Sequence, residues 1–238
     1  MTRGWQWAGQ VGCIEGGGFT GSLEEAVSAR LLPSRWAHSL GVASTARGLA
    51  PRMGIDPGKA WVAGVVHDIA RDLPAAELLS LAGRFGILVD TVEREAPELL
   101  HGPVGAELAR RELGVHDPEI LDAVARHTVG GAGLRPLSLL LYLADFIEPN
   151  RDFPGVGEVR QVAGRDPELA ALWTMEKMLT YLFREGLPAH PATLEGRNFL
   201  LSKLLKEGRW RPWGGGAPDA RCCHDRTRKD GHESGAQP

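Results

Sequence analysis

The sequence predicts an all-α fold, and three observations carry that expectation. Apolar residues recur at helical spacing through the middle of the chain, the periodic segments open with good helix starts, and nothing alternates with period two over a useful length. The first helix opens on Ser22-Leu23-Glu24-Glu25, a capping box, and is expected to run over 22–32. A second covers 34–50. Asp56-Pro57 then places a capping carboxylate before a proline suited to a first helical turn, with Trp61, Val65 and Ile69 on one face. Segments 75–85 and 103–113 follow. Asp117-Pro118 repeats the start signal ahead of Ile120, Val124 and His127, and 137–147 and 156–163 come next. Asp166-Pro167 opens the segment holding Leu169, Leu172, Trp173, Met175 and Leu179, whose stripe reads as core packing, and 192–207 closes the series. There is no internal repeat. The expectation is one domain, 22–208, built as a helical bundle of nine or ten helices.

Composition bounds what such a domain can do. The chain has 238 residues and a formal net charge of −3, which argues against a dedicated nucleic-acid binder. No apolar run approaches the roughly 18 residues of a membrane span, and no apolar segment of signal-peptide type follows the first residues. Glycine is abundant, 31 residues, and cysteine is an odd three, Cys13, Cys222 and Cys223. Those cysteines and 12 of the glycines fall in 1–21 and 209–238, which read as a flexible glycine-rich N-terminal tail and a disordered C-terminal tail. With no cysteine in the core, a disulfide framework has little support and a reducing cytoplasm is the expected location. Cys222-Cys223-His224 lacks the second ligand pair of a zinc finger and reads as solvated tail.

Chemistry concentrates where ligand-type side chains interrupt apolar helices. His67-Asp68 ends the run 60–66, Asp145 ends 139–144, and His38 stands among Trp36, Ala37 and Leu40. An imidazole or carboxylate so placed is partly buried, where it needs a partner or a metal ion. A single such histidine is ordinarily a satisfied core residue. Three apolar helices that each carry one can direct them into a common interior, the way helical bundles build metal sites.

In this order the residues resemble the H…HD…D signature of HD-domain metallohydrolases, and more closely the bacterial YqeK-type HD family, the symmetrical diadenosine tetraphosphate hydrolases. The matching text is 35–43 around His38, 67–74 from His67, 100–106 around His101, Arg126-His127-Thr128, 142–149 around Asp145, 151–156, and finally His190-Pro191 with Glu195-Gly196-Arg197-Asn198. It spans about 24–207.

That resemblance implies a metal site of His38, His67, Asp68 and Asp145, with His101 and His127 serving a second metal and Asp68 able to bridge. It implies a divalent metal, with iron favoured and manganese or zinc as alternatives for such mixed ligands. Asp68, His101 and His127 would form the catalytic group. A water activated between the two ions would attack the polyphosphate of diadenosine tetraphosphate and give two ADP. Arg71, four residues after His67 and so on its helical face, would place positive charge by the leaving phosphate where the family often has lysine. Arg35 and Arg151 would be further phosphate contacts. Asp72 is either a turn residue or part of the substrate site, Arg71 either a phosphate contact or a surface partner of Asp72, and Tyr142 either stacks on the nucleoside or belongs to the core. Two other readings stand beside this one: an HD phosphohydrolase acting on other nucleotides, and a non-catalytic regulatory HD module that binds nucleotide. The implied partner is a nucleotide substrate, without nucleic acid or membrane, and the core is large enough to support a homodimer.

Overall fold

The computed structural model describes residues 22–211. Among the described residues there are eleven α-helices and no strand: α1 Ser22–Ser28, α2 Pro33–Leu49, α3 Pro57–Val66, α4 Ala75–Phe85, α5 Thr91–Glu95, α6 His101–Glu112, α7 Pro118–Arg126, α8 Pro136–Ile147, α9 Val156–Ala163, α10 Pro167–Arg184 and α11 Pro191–Lys206. Short 3₁₀ turns, Ala50–Met53 and Pro97–Leu100, join α2 to α3 and lead into α6. The three Asp-Pro starts form as their chemistry requires. Asp56 accepts from the amides of Gly58 and Lys59, Asp117 from Glu119 and Ile120, and Asp166 from Leu169.

The helix count exceeds the expected nine or ten because of α5. Five residues are too few to show periodicity, yet Asp90 and Glu93 form a reciprocal capping box there. Helix α1 ends at Ser28, short of the expected 32, because Leu32 precedes Pro33 and takes the extended backbone that proline imposes on its neighbour. The cysteines and the expected tails at 1–21 and 212–238 lie outside the described residues. Residues 209–211, assigned to the tail from sequence, lie against the domain: Arg209 pairs with Asp166 and Glu168, and Trp173 donates to the carbonyl of Arg211.

Two apolar cores share one helix. The first gathers the inner faces of α1 to α4, α6 and α7, including Val42, Ala43, Val65, Val104 and Val124. The second gathers α8 to α11 around Leu143, Leu172, Met175 and Leu204. Helix α8 supplies Leu137, Leu140, Leu141 and Ala144 to the first core and Leu139, Tyr142, Leu143 and Ile147 to the second. Its near-continuous apolar character follows from being covered on both sides. Helix α2 packs on both α3 and α8, and α7 on both α6 and α8. Helices α2 and α3 approach closely at Gly64 of α3, where a side chain would collide with the backbone of Ala43 in α2. That crossing brings the His38 helix against the His67 helix.

Candidate metal centre

Six side chains meet where α2, α3, α6, α7 and α8 converge. His38 comes from α2, His67 and Asp68 from the end of α3, His101 from the first position of α6, His127 from the end of α7 and Asp145 from the last turn of α8. All six residues expected to be metal ligands are brought together. His67 and Asp68 lie at or beyond the end of α3, so a polar pair closes an apolar helix while remaining buried.

The rings are fixed by their outer nitrogens. Nδ1 of His67 lies 2.8 Å from the carbonyl oxygen of Gly64, that of His127 lies 2.7 Å from Val124 O, and that of His101 bonds Glu98 O. Each carbonyl sits three residues earlier in the chain. A carbonyl only accepts, so Nδ1 carries the hydrogen and Nε2 faces the cluster. His38 is held differently, by the carboxylate of Glu148 at 3.1 Å.

Inside the cluster, Asp68 faces both halves. Its Oδ2 lies 3.7 Å from His38 Nε2 and 3.5 Å from His67 Nε2, and its Oδ1 lies 3.3 Å from His101 Nε2 and 3.7 Å from His127 Nε2. Asp145 Oδ1 is 3.0 Å from His38 Nε2. Ligand atoms of His38, His67 and Asp145 fall close enough together to hold an ion, as do those of His67, Asp68 and His127, and the two groups share His67. The donor chemistry fits. Nε2 of His67 is buried with no hydrogen-bond partner among the described residues, and Nε2 of His101 and of His127 face each other at 3.0 Å. Two such nitrogens repel unless a proton or a cation lies with them.

The electrostatics of the protein without metal point the same way. Burial pushes the imidazole of His67 down to about 4 and also lowers His101. Burial opposes the charge on His38 and His127 too, but hydrogen bonds and charge from Asp145 and Glu148, and from Asp68, outweigh it and raise both. For Asp68 and Asp145 burial works upward and is overcome by the surrounding imidazoles, so both carboxyls stay well below their ordinary range. The cluster therefore calls for positive charge in two places, one beside His38 and one beside His127.

The rim follows expectation in part. Arg35 Nη1 donates to Asp68 Oδ2 at 3.0 Å, and Arg151 donates from Nη2 to Asp145 Oδ1 at 2.8 Å. Asp72 accepts the amide of Leu32 and stands 3.9 Å from Arg35 Nε, so it ties the entry of α2 to the site. Arg71 is not on a helical face with His67. Helix α3 stops at Val66, and Ile69, Arg71 and Leu73 then bond carbonyls three residues back, as the chain turns toward Pro74. Arg71 makes no ion pair with the cluster. Tyr142, expected either to stack on the nucleoside or to pack in the core, is 4% exposed and belongs to the second core, where burial raises its hydroxyl pKa.

Sequence reasoning passed over two residues at the site. Thr128 Oγ1 lies 3.2 Å from His101 Nε2 and 3.4 Å from His127 Nε2. Glu148 is 1% exposed, and its sequence signal was a second acid three residues after Asp145 at the end of an apolar helix. A further Asp90–Glu93–His190 group is structural. His190 Nδ1 accepts from Ala192, so its Nε2 carries the hydrogen and donates to Asp90 at 2.7 Å.

Residues 35–150 match the HD domain family. The symmetrical bis(5'-nucleosyl)-tetraphosphatase of Bacillus subtilis is 40% identical over 176 residues, 74% of this chain and 94% of that protein. Proteins of the same name from Halalkalibacterium halodurans, at 36% identity over 76% of this chain and 96% of that one, and Staphylococcus aureus, at 30% over 71% and 88%, are also similar. Among solved structures, a Clostridium acetobutylicum protein described as a predicted HD superfamily hydrolase involved in NAD metabolism superimposes with a TM-score of 0.74 at 34% identity, covering 76% of this chain and 96% of that one. With the six-residue cluster at its centre, the chain belongs to the HD-domain family of symmetrical bis(5'-nucleosyl)-tetraphosphatases.

Proposed function

We propose that the protein hydrolyses diadenosine tetraphosphate symmetrically to two ADP at the cluster of His38, His67, Asp68, His101, His127 and Asp145. The observation that carries this reading is the convergence of four imidazoles, turned inward by their Nδ1 partners, on an aspartate that faces both pairs. These six residues would hold two divalent ions, iron in the first instance and manganese or zinc as substitutes. Bound there, the ions would supply Lewis-acid neutralisation of phosphate charge and water activated near neutral pH.

The chain's own groups do the rest. Asp68 and Asp145 concentrate negative charge that holds cations, and burial of the rings keeps bulk water from the ligand atoms. Arg35 and Arg151 put positive charge at the rim, with side chains 29% and 41% exposed, where phosphate oxygens can reach them. Arg71, half-buried and without an ion pair among the described residues, adds a third cation beside the Asp68 turn. Water adds to one of the two central phosphorus atoms and the bond to the bridging oxygen breaks. That oxygen leaves with the second ADP, and a proton is released. ADP leaves as a stable anion, so positive charge beside it matters more than a strong general acid.

The acidic balance and the confinement of cysteine to the chain ends support a cytoplasmic enzyme acting on free nucleotide. Among the described residues no helix is long and apolar enough to cross a membrane. Chromatography of nucleotides after incubation with iron or manganese tests the reading. ADP as sole product supports it, and ATP with AMP overturns it.

A further inference from the structure

We infer that Glu148 is a positioning residue of the metal centre, set in place by Arg160. The inference rests on the reading of the cluster as a metal site. Three of the four imidazoles are held by carbonyls three residues earlier in their own segments, a local device that any helix end can supply. His38 alone relies on a charged partner, 110 residues away in sequence.

The fold goes to some length to keep that partner. A buried carboxylate is costly unless its oxygens are satisfied. Glu148 Oε1 takes Nδ1 of His38, and Oε2 accepts the amide of Asn150 at 2.7 Å. Opposite, α2 carries Gly41 one turn after His38, and a Cβ there would fall 2.5 Å from Glu148 Oε2. The glycine leaves the space that the carboxylate fills.

Arg160, in α9 and beyond the 35–150 match, closes the same turn from the other side. Its Nε donates to Ile147 O at 2.8 Å, and its Nη2 donates to Glu148 O at 2.6 Å and to Arg151 O at 2.7 Å. One guanidinium thus fixes the backbone from which Glu148 reaches His38 and Arg151 reaches Asp145. A carboxylate on Nδ1 fixes the ring's tautomer and orientation and makes Nε2 a better donor to a metal.

The test is manganese titration of the metal-free full chain by calorimetry, with thermal melts of the same samples. Glu148→Gln keeps the shape and loses the charge, and Arg160→Lys keeps a charge and loses the fork, so Arg160→Lys carries the test if Glu148→Gln does not fold. Manganese affinity is expected to fall about 10–100-fold in Glu148→Gln and about tenfold in Arg160→Lys while each protein still melts cooperatively. Wild-type affinity in both variants, with only the melting temperature lowered, overturns the inference and leaves Glu148 a helix-end carboxylate. A wild type that takes up no manganese overturns the metal reading beneath it.

Discussion

Gly64 is where packing and the metal centre depend on the same atom position, and Gly64→Ala perturbs both. The added Cβ would lie 2.6 Å from the backbone nitrogen of Ala43 and closer still to its Cα, whereas ordinary contact begins near 3.4 Å. Both neighbours are backbone, so no side chain can swing aside. Helices α2 and α3 must part by about 1.1 Å at the crossing to relieve the nearer contact, and overpacking of this kind costs about 1–3 kcal/mol. Alanine recovers about 0.5–1 kcal/mol of that through lower chain entropy, so a net loss of about 1–1.5 kcal/mol is expected, or about 2–6 °C for a domain of this size. The larger effect is on the centre. His38 rides on α2 and His67 on α3, and metal–ligand distances tolerate only about 0.2 Å. Manganese affinity should therefore drop at least about tenfold. Gly48→Ala is the control: it lies on the same α2, its Cβ would meet nothing within 4 Å, and it should leave affinity unchanged. Thermal melts and manganese titration of both variants decide the matter. A Gly64→Ala protein with wild-type melting temperature and affinity would refute the packing argument.

Three further outcomes are expected. Arg35→Ala and Arg151→Ala should each lower kcat/KM about 10–100-fold, the loss of one hydrogen bond to a charged phosphate, and unchanged kinetics in both would remove them from the substrate site. Metal binding should release protons, because His38 and His127 are raised and hold protons in the metal-free protein that a metal ion must displace. The sign follows: affinity rises with pH through and above 6.5, while His67, already neutral there, contributes nothing, and calorimetry in buffers of different ionisation enthalpy measures it. Affinity that is equal at pH 6 and pH 8, with no proton release, would contradict the assigned directions. Removing metal with a chelator should lower the melting temperature of the wild type and leave that of Asp68→Ala unchanged, as scanning calorimetry would show.

Much of this was legible before the structure. Asp56-Pro57, Asp117-Pro118 and Asp166-Pro167 announced three helix starts because a capping carboxylate and a preset proline act within one turn. Of the six residues in the cluster, His38, His67, Asp68 and Asp145 were legible as polar interruptions of apolar runs, and His101 and His127 through family likeness. Relations across long distances were not. Nothing in the text around Glu148 says that its carboxylate meets a histidine 110 residues earlier, and nothing around Gly41 says that it makes room for that contact. Part of the glycine content of the core is set in the same way, since Gly41 and Gly64 are required by neighbours from other elements. Arg71 was misplaced through a local rule extended too far: helical spacing from His67 assumed a helix that ends at Val66. Tyr142 lay on an apolar helix covered from both sides, where the second core claims it.

The most direct measurement compares wild type with Asp68→Asn, both supplied with iron or manganese, on diadenosine tetraphosphate, with products resolved and counted. Asp68 is the residue that faces both imidazole pairs, and the amide removes its charge with little change of shape. Two ADP per substrate from the wild type and no turnover by the variant is the expected result. ATP and AMP from the wild type, or equal turnover by both proteins, would contradict it.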